Sequence, residues 1–216
     1  MTKVKICGIT NLDDALVAAQ AGADFLGFIF YEPSPRYVSP ETVREIVSGI
    51  RCQMPGEFPK FVGVFVNASL EKVEQILEDC RLDAAQLHGD ESPEFVNHFQ
   101  KRAYKALRPQ SLEEAESLTK KYYPRTPYSL LPNFLLDAYH PTLYGGTGHV
   151  TDWTMAATTA AKYSIMLAGS LTPDNVADAV RMVKPWGVDV SSGVEAEKGK
   201  KDHQKVRRFL QAAKNG

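Results

Sequence analysis

The sequence carries no excess of charge of either sign. Its 216 residues hold 25 Lys and Arg against 26 Asp and Glu, a net charge of −1. That excludes the basic footprint of a nucleic-acid binder and a polybasic membrane anchor, so an anionic partner has to be captured by local geometry. Cysteine is scarce as well. Cys7, Cys52 and Cys80 form no CxxC pair and no Cys/His cluster, which argues against a disulfide framework and a zinc site. No apolar run approaches the roughly 20 residues of a membrane-spanning helix. Met1–Cys7 runs directly into a strand-like segment with no signal-peptide core, so the expected setting is a reducing cytoplasm. Low-complexity segments and evident linkers are also missing. What is present is ordinary for a globular domain: 44% hydrophobic, 24% charged and 10% aromatic residues, enough to build a core that needs no stapling.

Short β-branched or apolar runs recur along the chain: Val4–Cys7, Asp24–Phe30, Phe61–Val66, Asp83–Leu87, Ala103–Leu107, Asn133–Asp137, Ser164–Ala168 and Gly187–Ser191. Each has strand length. Segments of helical spacing lie between them, among them Leu12–Ala21, Leu70–Asp79, Val176–Val183 and Val206–Ala213. Ser39-Pro40, Ser92-Pro93 and Thr172-Pro173 each pair an N-cap residue with proline at the first helical position, and Ser111 with Glu114 has capping-box spacing. Eight strand–helix units predict a (β/α)8 barrel in a single domain over residues 1–216, at roughly 27 residues per unit. The competitor, an open doubly wound sheet, expects GxGxxG after the first strand, where Cys7-Gly8-Ile9-Thr10 stands instead. The proline-bearing stretch Tyr122–Asn133 reads as an extended loop before the sixth strand.

In such a barrel the chemistry sits where strands end. Those positions hold Cys7, Arg36, His88, Arg108, Asp137, Gly169-Ser170 and Ser191-Ser192-Gly193, with a further glycine-rich turn at Gly145-Gly146-Thr147-Gly148. The turns after strands seven and eight suit a phosphate, which backbone N–H groups can cradle. Taken singly, each of these residues also has a plain structural explanation: a small buried thiol, a satisfied histidine, a cap, a surface guanidinium, a tight turn. Side chains alternate along a strand. If Cys7 faces the barrel mouth, Lys5 faces inward below it; Leu135 accompanies Asp137 while Leu136 faces the helices; Gln86 accompanies His88, and Asp189 accompanies Ser191. A buried Lys5 without a counter-charge is costly, so Lys5 is expected to pair with Asp189 or another inward carboxylate.

These residues resemble a known family. Lys5-Ile6-Cys7-Gly8-Ile9-Thr10-Asn11 looks like the opening motif of the phosphoribosylanthranilate isomerases. The similarity continues through Gly22-Ala23-Asp24, Gly27–Phe30, Ser34-Pro35-Arg36, Gly63–Asn67, Gln86–Gly89, Leu136-Asp137, Gly145–Gly148, Leu167–Asn175 and Asp189–Glu195. It covers essentially the whole chain in order; the stretch Tyr122–Asn133 looks long for the family. The resemblance implies a (β/α)8 barrel that rearranges N-(5-phosphoribosyl)anthranilate to 1-(2-carboxyphenylamino)-1-deoxyribulose 5-phosphate in tryptophan biosynthesis, without metal or organic cofactor, as a monomer or homodimer. It also implies Cys7 as general base, Asp137 as general acid and Arg36 as the holder of the anthranilate carboxylate. His88, Gly146, Gly148, Gly169, Ser170, Asp189, Ser192 and Gly193 complete the expected substrate site.

The chemistry suits those residues. An Amadori shift needs a proton on the furanose ring oxygen and then removal of the C2 proton, which one acid and one base on either side of the substrate supply. A thiolate serves as base if its pKa falls, and Lys5 together with the start of the first helix is expected to lower it. The related aminoaldose isomerase of histidine biosynthesis pairs two aspartates and handles two phosphates. Cys7 argues against it, as does the confinement of the Gly-Ser turns to one half of the chain. A non-catalytic phosphosugar sensor would be expected to lose Cys7 or Asp137 first.

Overall fold

The computed structural model describes residues 1–54, 56, 58–123, 130–137 and 152–216. Eight parallel strands close into a barrel in chain order, with β8 paired to β1. They are β1 (Lys3–Cys7), β2 (Phe25–Ile29), β3 (Lys60–Phe65), β4 (Ala84–Leu87), β5 (Ala103–Leu107), β6 (Phe134–Leu136), β7 (Ile165–Leu167) and β8 (Gly187–Val190). Each expected run contains its strand to within a residue or two. The outer ring is α1 (Leu12–Gln20), α2 (Pro40–Gln53), α3 (Leu70–Asp79), α4 (Pro93–His98), α5 (Leu112–Tyr122), α6 (Trp153–Ala160), α7 (Val176–Val183) and α8 (His203–Asn215).

Local chemistry starts most of these helices. The side chains of Asn11, Ser39, Ser69, Ser92, Ser111, Asp152 and Asp202 each accept a first-turn N–H, a contact worth about 1 kcal/mol per cap. Two start signals behave differently from expectation. Thr172 does not cap a helix at Pro173. The chain turns once more, and α7 begins at Val176, because the Asn175 side chain reaches back to the Thr172 N–H and the Ser170 carbonyl. Ser111 does cap Glu114, but the Glu114 carboxylate accepts from Gln110 N–H, so the reciprocal half of the box falls one residue early. An antiparallel hairpin between β8 and α8, β9 (Glu195–Glu197) with β10 (Lys200–Lys201), was not anticipated.

The alternation along the strands sorts the core into two shells. Phe25, Val62, Ala84, Tyr104, Ala106, Leu135, Met166 and Ala168 fill the barrel interior together with Leu131. Val4, Ile6, Leu26, Phe28, Phe61, Phe65, Phe134, Leu136, Ile165 and Val188 pack outward against the helices. Leu135 and Leu136 therefore fall on opposite faces, as parity requires. Of the stretch Tyr122–Asn133, Tyr122 closes α5 and Leu131 plugs the interior cluster, while residues 124–129 lie outside the described part. No helix among the described residues is long and apolar enough to cross a membrane.

Candidate active site

The C-terminal ends of the strands open into one cavity lined by Cys7, Arg36, His88, Asp137, Asp189 and Ser191, with Gln86 at its floor and Ile29, Val64 and Val66 along its walls. Register explains the convergence. Lys5 on β1 stands beside Asp189 on β8, and Gln86 on β4 stands beside Tyr104 on β5. Neighbours in a parallel ladder point the same way, so all four side chains meet inside the barrel.

Lys5 is wholly buried. Its Nζ lies 3.0 Å from Asp189 Oδ1, donates to Gln86 Oε1 at 2.6 Å and approaches Cys7 Sγ at 3.4 Å. The expected Lys5–Asp189 pair therefore exists. Gly27 makes room for it: a Cβ there would sit 2.8 Å from Cys7 Sγ and 2.9 Å from Lys5 Cε. Burial acts to lower the Lys5 ammonium, but the Asp189 carboxylate overrides it and holds the group above its ordinary value. Burial pushes the Asp189 carboxyl up against the pull of Lys5.

Cys7 corrects an expectation. Its thiol is raised, not lowered. Desolvation of a buried sulfur is the largest effect, and the neighbouring Asp189 adds to it; Lys5 and Lys201 pull the other way without prevailing. Helix α1 starts only after its cap at Asn11, four residues on from the sulfur. Cys7 is thus a thiol at neutral pH with a cation held beside it.

A hydrogen-bond chain crosses the floor to the other side. Gln86 Oε1 accepts from both Lys5 and the Tyr104 hydroxyl, at 2.6 and 3.0 Å. Its amide nitrogen is thereby left to donate to His88 Nδ1, at 2.8 Å. With Nδ1 accepting, the imidazole proton is on Nε2, which faces Asp137 Oδ2 at 3.4 Å. The base side and the acid side of the cavity are thus joined through Lys5, Gln86 and His88. Two buried polar atoms along this cavity, His88 Nε2 and Ser191 Oγ, have no hydrogen-bond partner among the described residues. Buried polar atoms are rarely left so, and two facing the cavity from the ends of β4 and β8 suit a polar ligand.

Arg36 enters from the loop after β2, where its N–H bonds Ser34 Oγ. Its guanidinium is already engaged: Nε and Nη2 donate to the two carboxylate oxygens of Glu195 at 2.7 and 2.8 Å. One edge of the fork is used, and Nη1 has no hydrogen-bond partner among the described residues. Arg108, at the end of β5, lies 3.7 Å from Asp90 and does not line the cavity.

The turns after β7 and β8 abut one another. Gly169 and Ser170 both take positive φ, +90° and +53°, and a Cβ at Gly193 would lie 1.9 Å from the Leu171 carbonyl oxygen. Only glycine permits that approach. Ser192–Val194 forms a 3₁₀ turn, whose first N–H groups lack intrahelical partners. Gly169, Ser170, Ser192 and Gly193 are therefore brought together, beside the cavity and not in its lining. Gly146 and Gly148 lie outside the described residues.

The residues missed from the sequence are Tyr104, Glu195, Lys201, Lys105 and Glu91. Lys105 donates to the carbonyls of Leu87, Gly89 and Ala106 and pairs with Glu91, which accepts from Gly89 and Asn67 N–H. This buried clamp holds the turn that carries His88. The inward parity of Tyr104 was readable from β5, where Lys105 is a lone charge in an apolar strand; Glu91, Glu195 and Lys201 sit in charged runs that look solvated.

Residues 4–212 match the family model for N-(5'-phosphoribosyl)anthranilate isomerase. The N-(5'-phosphoribosyl)anthranilate isomerase of Pelobacter propionicus is 50% identical over 99% of this chain and 96% of its own length. Among solved structures, phosphoribosyl anthranilate isomerase from Thermotoga maritima superposes with a TM-score of 0.85 at 39% identity, covering all of both chains. Another solved phosphoribosyl anthranilate isomerase, in complex with reduced 1-(o-carboxyphenylamino)-1-deoxyribulose 5-phosphate, superposes at 0.83 with 38% identity and the same coverage. An eight-stranded parallel barrel, a polar cavity at its strand ends and full-length similarity agree: the chain belongs to the N-(5'-phosphoribosyl)anthranilate isomerase family, enzymes of tryptophan biosynthesis.

Proposed function

We propose that this single barrel isomerises N-(5-phosphoribosyl)anthranilate to 1-(2-carboxyphenylamino)-1-deoxyribulose 5-phosphate by general acid–base catalysis, with Asp137 as acid and Cys7 as base. The observation that carries the reading is the cavity that gathers Cys7, Asp137, Arg36, His88, Asp189 and Ser191, where His88 Nε2 and Ser191 Oγ have no hydrogen-bond partner among the described residues. Asp137 delivers a proton to the furanose oxygen; the C1–O bond breaks and the nitrogen lone pair forms the iminium. His88 Nε2–H then faces the resulting carboxylate. Cys7 first gives up its thiol proton to solvent; the thiolate then removes the C2 proton, giving the enolamine, which takes a proton at C1 as its hydroxyl becomes the ketone. Lys5, 3.4 Å from the sulfur, supports the charge that Cys7 acquires when it ionises. Asp189 and Ser191 bond sugar hydroxyls, Arg36 offers its Nη1 edge to the carboxylate, and the loops of Gly169-Ser170 and Ser192-Gly193 receive the phosphate.

General acid–base assistance of this kind contributes ~10²–10⁴-fold. Cys7→Ser and Asp137→Asn should each lower kcat by that order while a product analogue still binds. Near-normal turnover in either variant overturns the assignment of that residue. Arg36→Ala should act mainly through KM, because the carboxylate is remote from the reacting carbons.

A further inference from the structure

Behind Arg36 lies a group of charges that the acid–base reading leaves unused. Glu195 holds the Nε/Nη2 edge of the guanidinium with both carboxylate oxygens. The same Oε1 accepts from Lys201 Nζ at 3.1 Å, and that ammonium, fully buried, also donates to the Ser191 carbonyl at 3.2 Å. Lys201 and Glu195 belong to the β9–β10 hairpin, which is pinned from several sides. Asp14 Oδ2 accepts from Lys201 N–H, Thr10 Oγ1 donates to the Gly199 carbonyl, and Lys205 Nζ donates to the Glu195 carbonyl. Gly199, at φ +83°, passes within 3.3 Å of the Pro35 carbonyl, in the loop of Arg36 itself, as measured from the position a Cβ would take. Gly8, at φ +72°, leaves space that a Cβ would take from Arg36 Cδ and Ser191 Oγ.

We infer that Glu195, braced by Lys201, is a specificity-determining positioning residue: it locks the Arg36 fork with one edge presented to the cavity and thereby sets the preference for a substrate bearing an aryl carboxylate. The inference rests on the reading of Arg36 given above. A guanidinium on a flexible stem pays rotamer entropy each time it forms a fork. One held bidentately beforehand loses less when it captures a second carboxylate, which is the advantage of preorganisation. The group also holds two positive charges against one negative, so an incoming carboxylate meets a net attraction.

The test compares N-(5-phosphoribosyl)anthranilate with N-(5-phosphoribosyl)aniline, both made by condensing the amine with ribose 5-phosphate. The readout is the ratio of their kcat/KM values in wild type, Glu195→Gln, Arg36→Ala and the double variant Glu195→Gln/Lys201→Met, which removes one charge of each sign and so guards against misfolding from an unpaired buried cation. A charged hydrogen bond misaligned in this way costs ~10–100-fold. Glu195→Gln and the double variant should therefore lower the ratio ~10-fold or more through KM for the anthranilate substrate, and change the aniline substrate by less than about threefold. Equal loss on both substrates, or an unchanged ratio, overturns the inference and marks Glu195 as a structural brace. A lower anthranilate KM in Glu195→Gln overturns it as well, marking Glu195 as a competitor for Arg36. If Arg36→Ala itself leaves the ratio unchanged, it is the carboxylate reading of Arg36 that fails.

Discussion

Replacing Lys5 with methionine tests the centre of this barrel most directly. Methionine keeps the length and apolar stem of lysine but removes the ammonium that meets Gln86 Oε1 at 2.6 Å, Asp189 Oδ1 at 3.0 Å and Cys7 Sγ at 3.4 Å. Asp189 then has a buried carboxyl with its counter-charge gone. Burial already holds that group above its ordinary value of 3.8, so the variant resolves the strain by keeping Asp189 protonated in the folded state. Holding a carboxyl of unfolded pKa 3.8 neutral at pH 7 costs about 1.4 kcal/mol for each of roughly three pH units, or about 4 kcal/mol, which is the ceiling for the gap because wild type already carries part of it. That agrees with the ~3–5 kcal/mol typical of breaking a buried pair by removing one partner. In a chain of this size it lowers Tm by about 8–16 °C. The sign of the pH dependence follows. A carboxyl raised in the folded state contributes stability that is full below its unfolded value and is lost as pH rises toward the folded one. The Lys5→Met variant should thus lie nearest wild type at acid pH, and the gap should widen by up to about 1.4 kcal/mol per unit as pH rises. Urea unfolding between pH 5 and 8 measures this, and Lys5→Met/Asp189→Asn should recover most of the loss. A Lys5→Met protein within about 1 kcal/mol of wild type at pH 7, or a gap indifferent to pH, would refute the reasoning.

Because burial raises the Cys7 thiol, alkylation of Cys7 by iodoacetamide, followed by mass spectrometry, should be slow at pH 7 and rise with a midpoint above the ordinary thiol value of about 8.5; a midpoint below that value contradicts the balance of burial over Lys5. Arg36 and Lys201 outweigh burial at Glu195 and depress its carboxyl below its ordinary 4.5. The stability it adds is full above that pH and is lost as pH falls through the folded value, so urea midpoints of Glu195→Gln should decline less than wild type between pH 5 and 3, and parallel curves would count against the pairing. Gly193→Ala inserts a methyl group 1.9 Å from the Leu171 carbonyl oxygen, so the loops after β7 and β8 must part. KM should rise ~10–100-fold, the scale of an ångström's misplacement, with the fold retained; an unaltered KM would separate these loops from substrate binding.

Much of the barrel was legible because its strands announce themselves locally. Ala103–Leu107 and Leu70–Asp79 coincide with β5 and α3, and the serine–proline starts at Ser39 and Ser92 sit at real helix caps. The Lys5–Asp189 pair was legible from alternation and the cost of an unpaired buried charge. Other features resisted. Thr172-Pro173 carries a sound cap signature, yet the Asn175 side chain bonds back into the loop and delays α7. The run Glu195–Lys201 reads as a solvated stretch of alternating charge, yet Glu195 and Lys201 are buried. Only Gly199, with its positive φ, hints at the hairpin that folds them inward.

The sequence by itself determined the strand–helix rhythm, the side chains that face inward and the chemical types at the strand ends. These depend on periods of two and 3.6 residues and on caps, all of which act within a few positions of the chain. The tertiary structure alone decided the thiol's state, the proton position on His88 and the prior engagement of Arg36. Each of those is an electrostatic balance among groups far apart in the chain, such as Lys5 with Gln86 and Asp189, or Arg36 with Glu195. Coulomb and desolvation energies depend on separation in space and on burial, and neither exists until the barrel has closed.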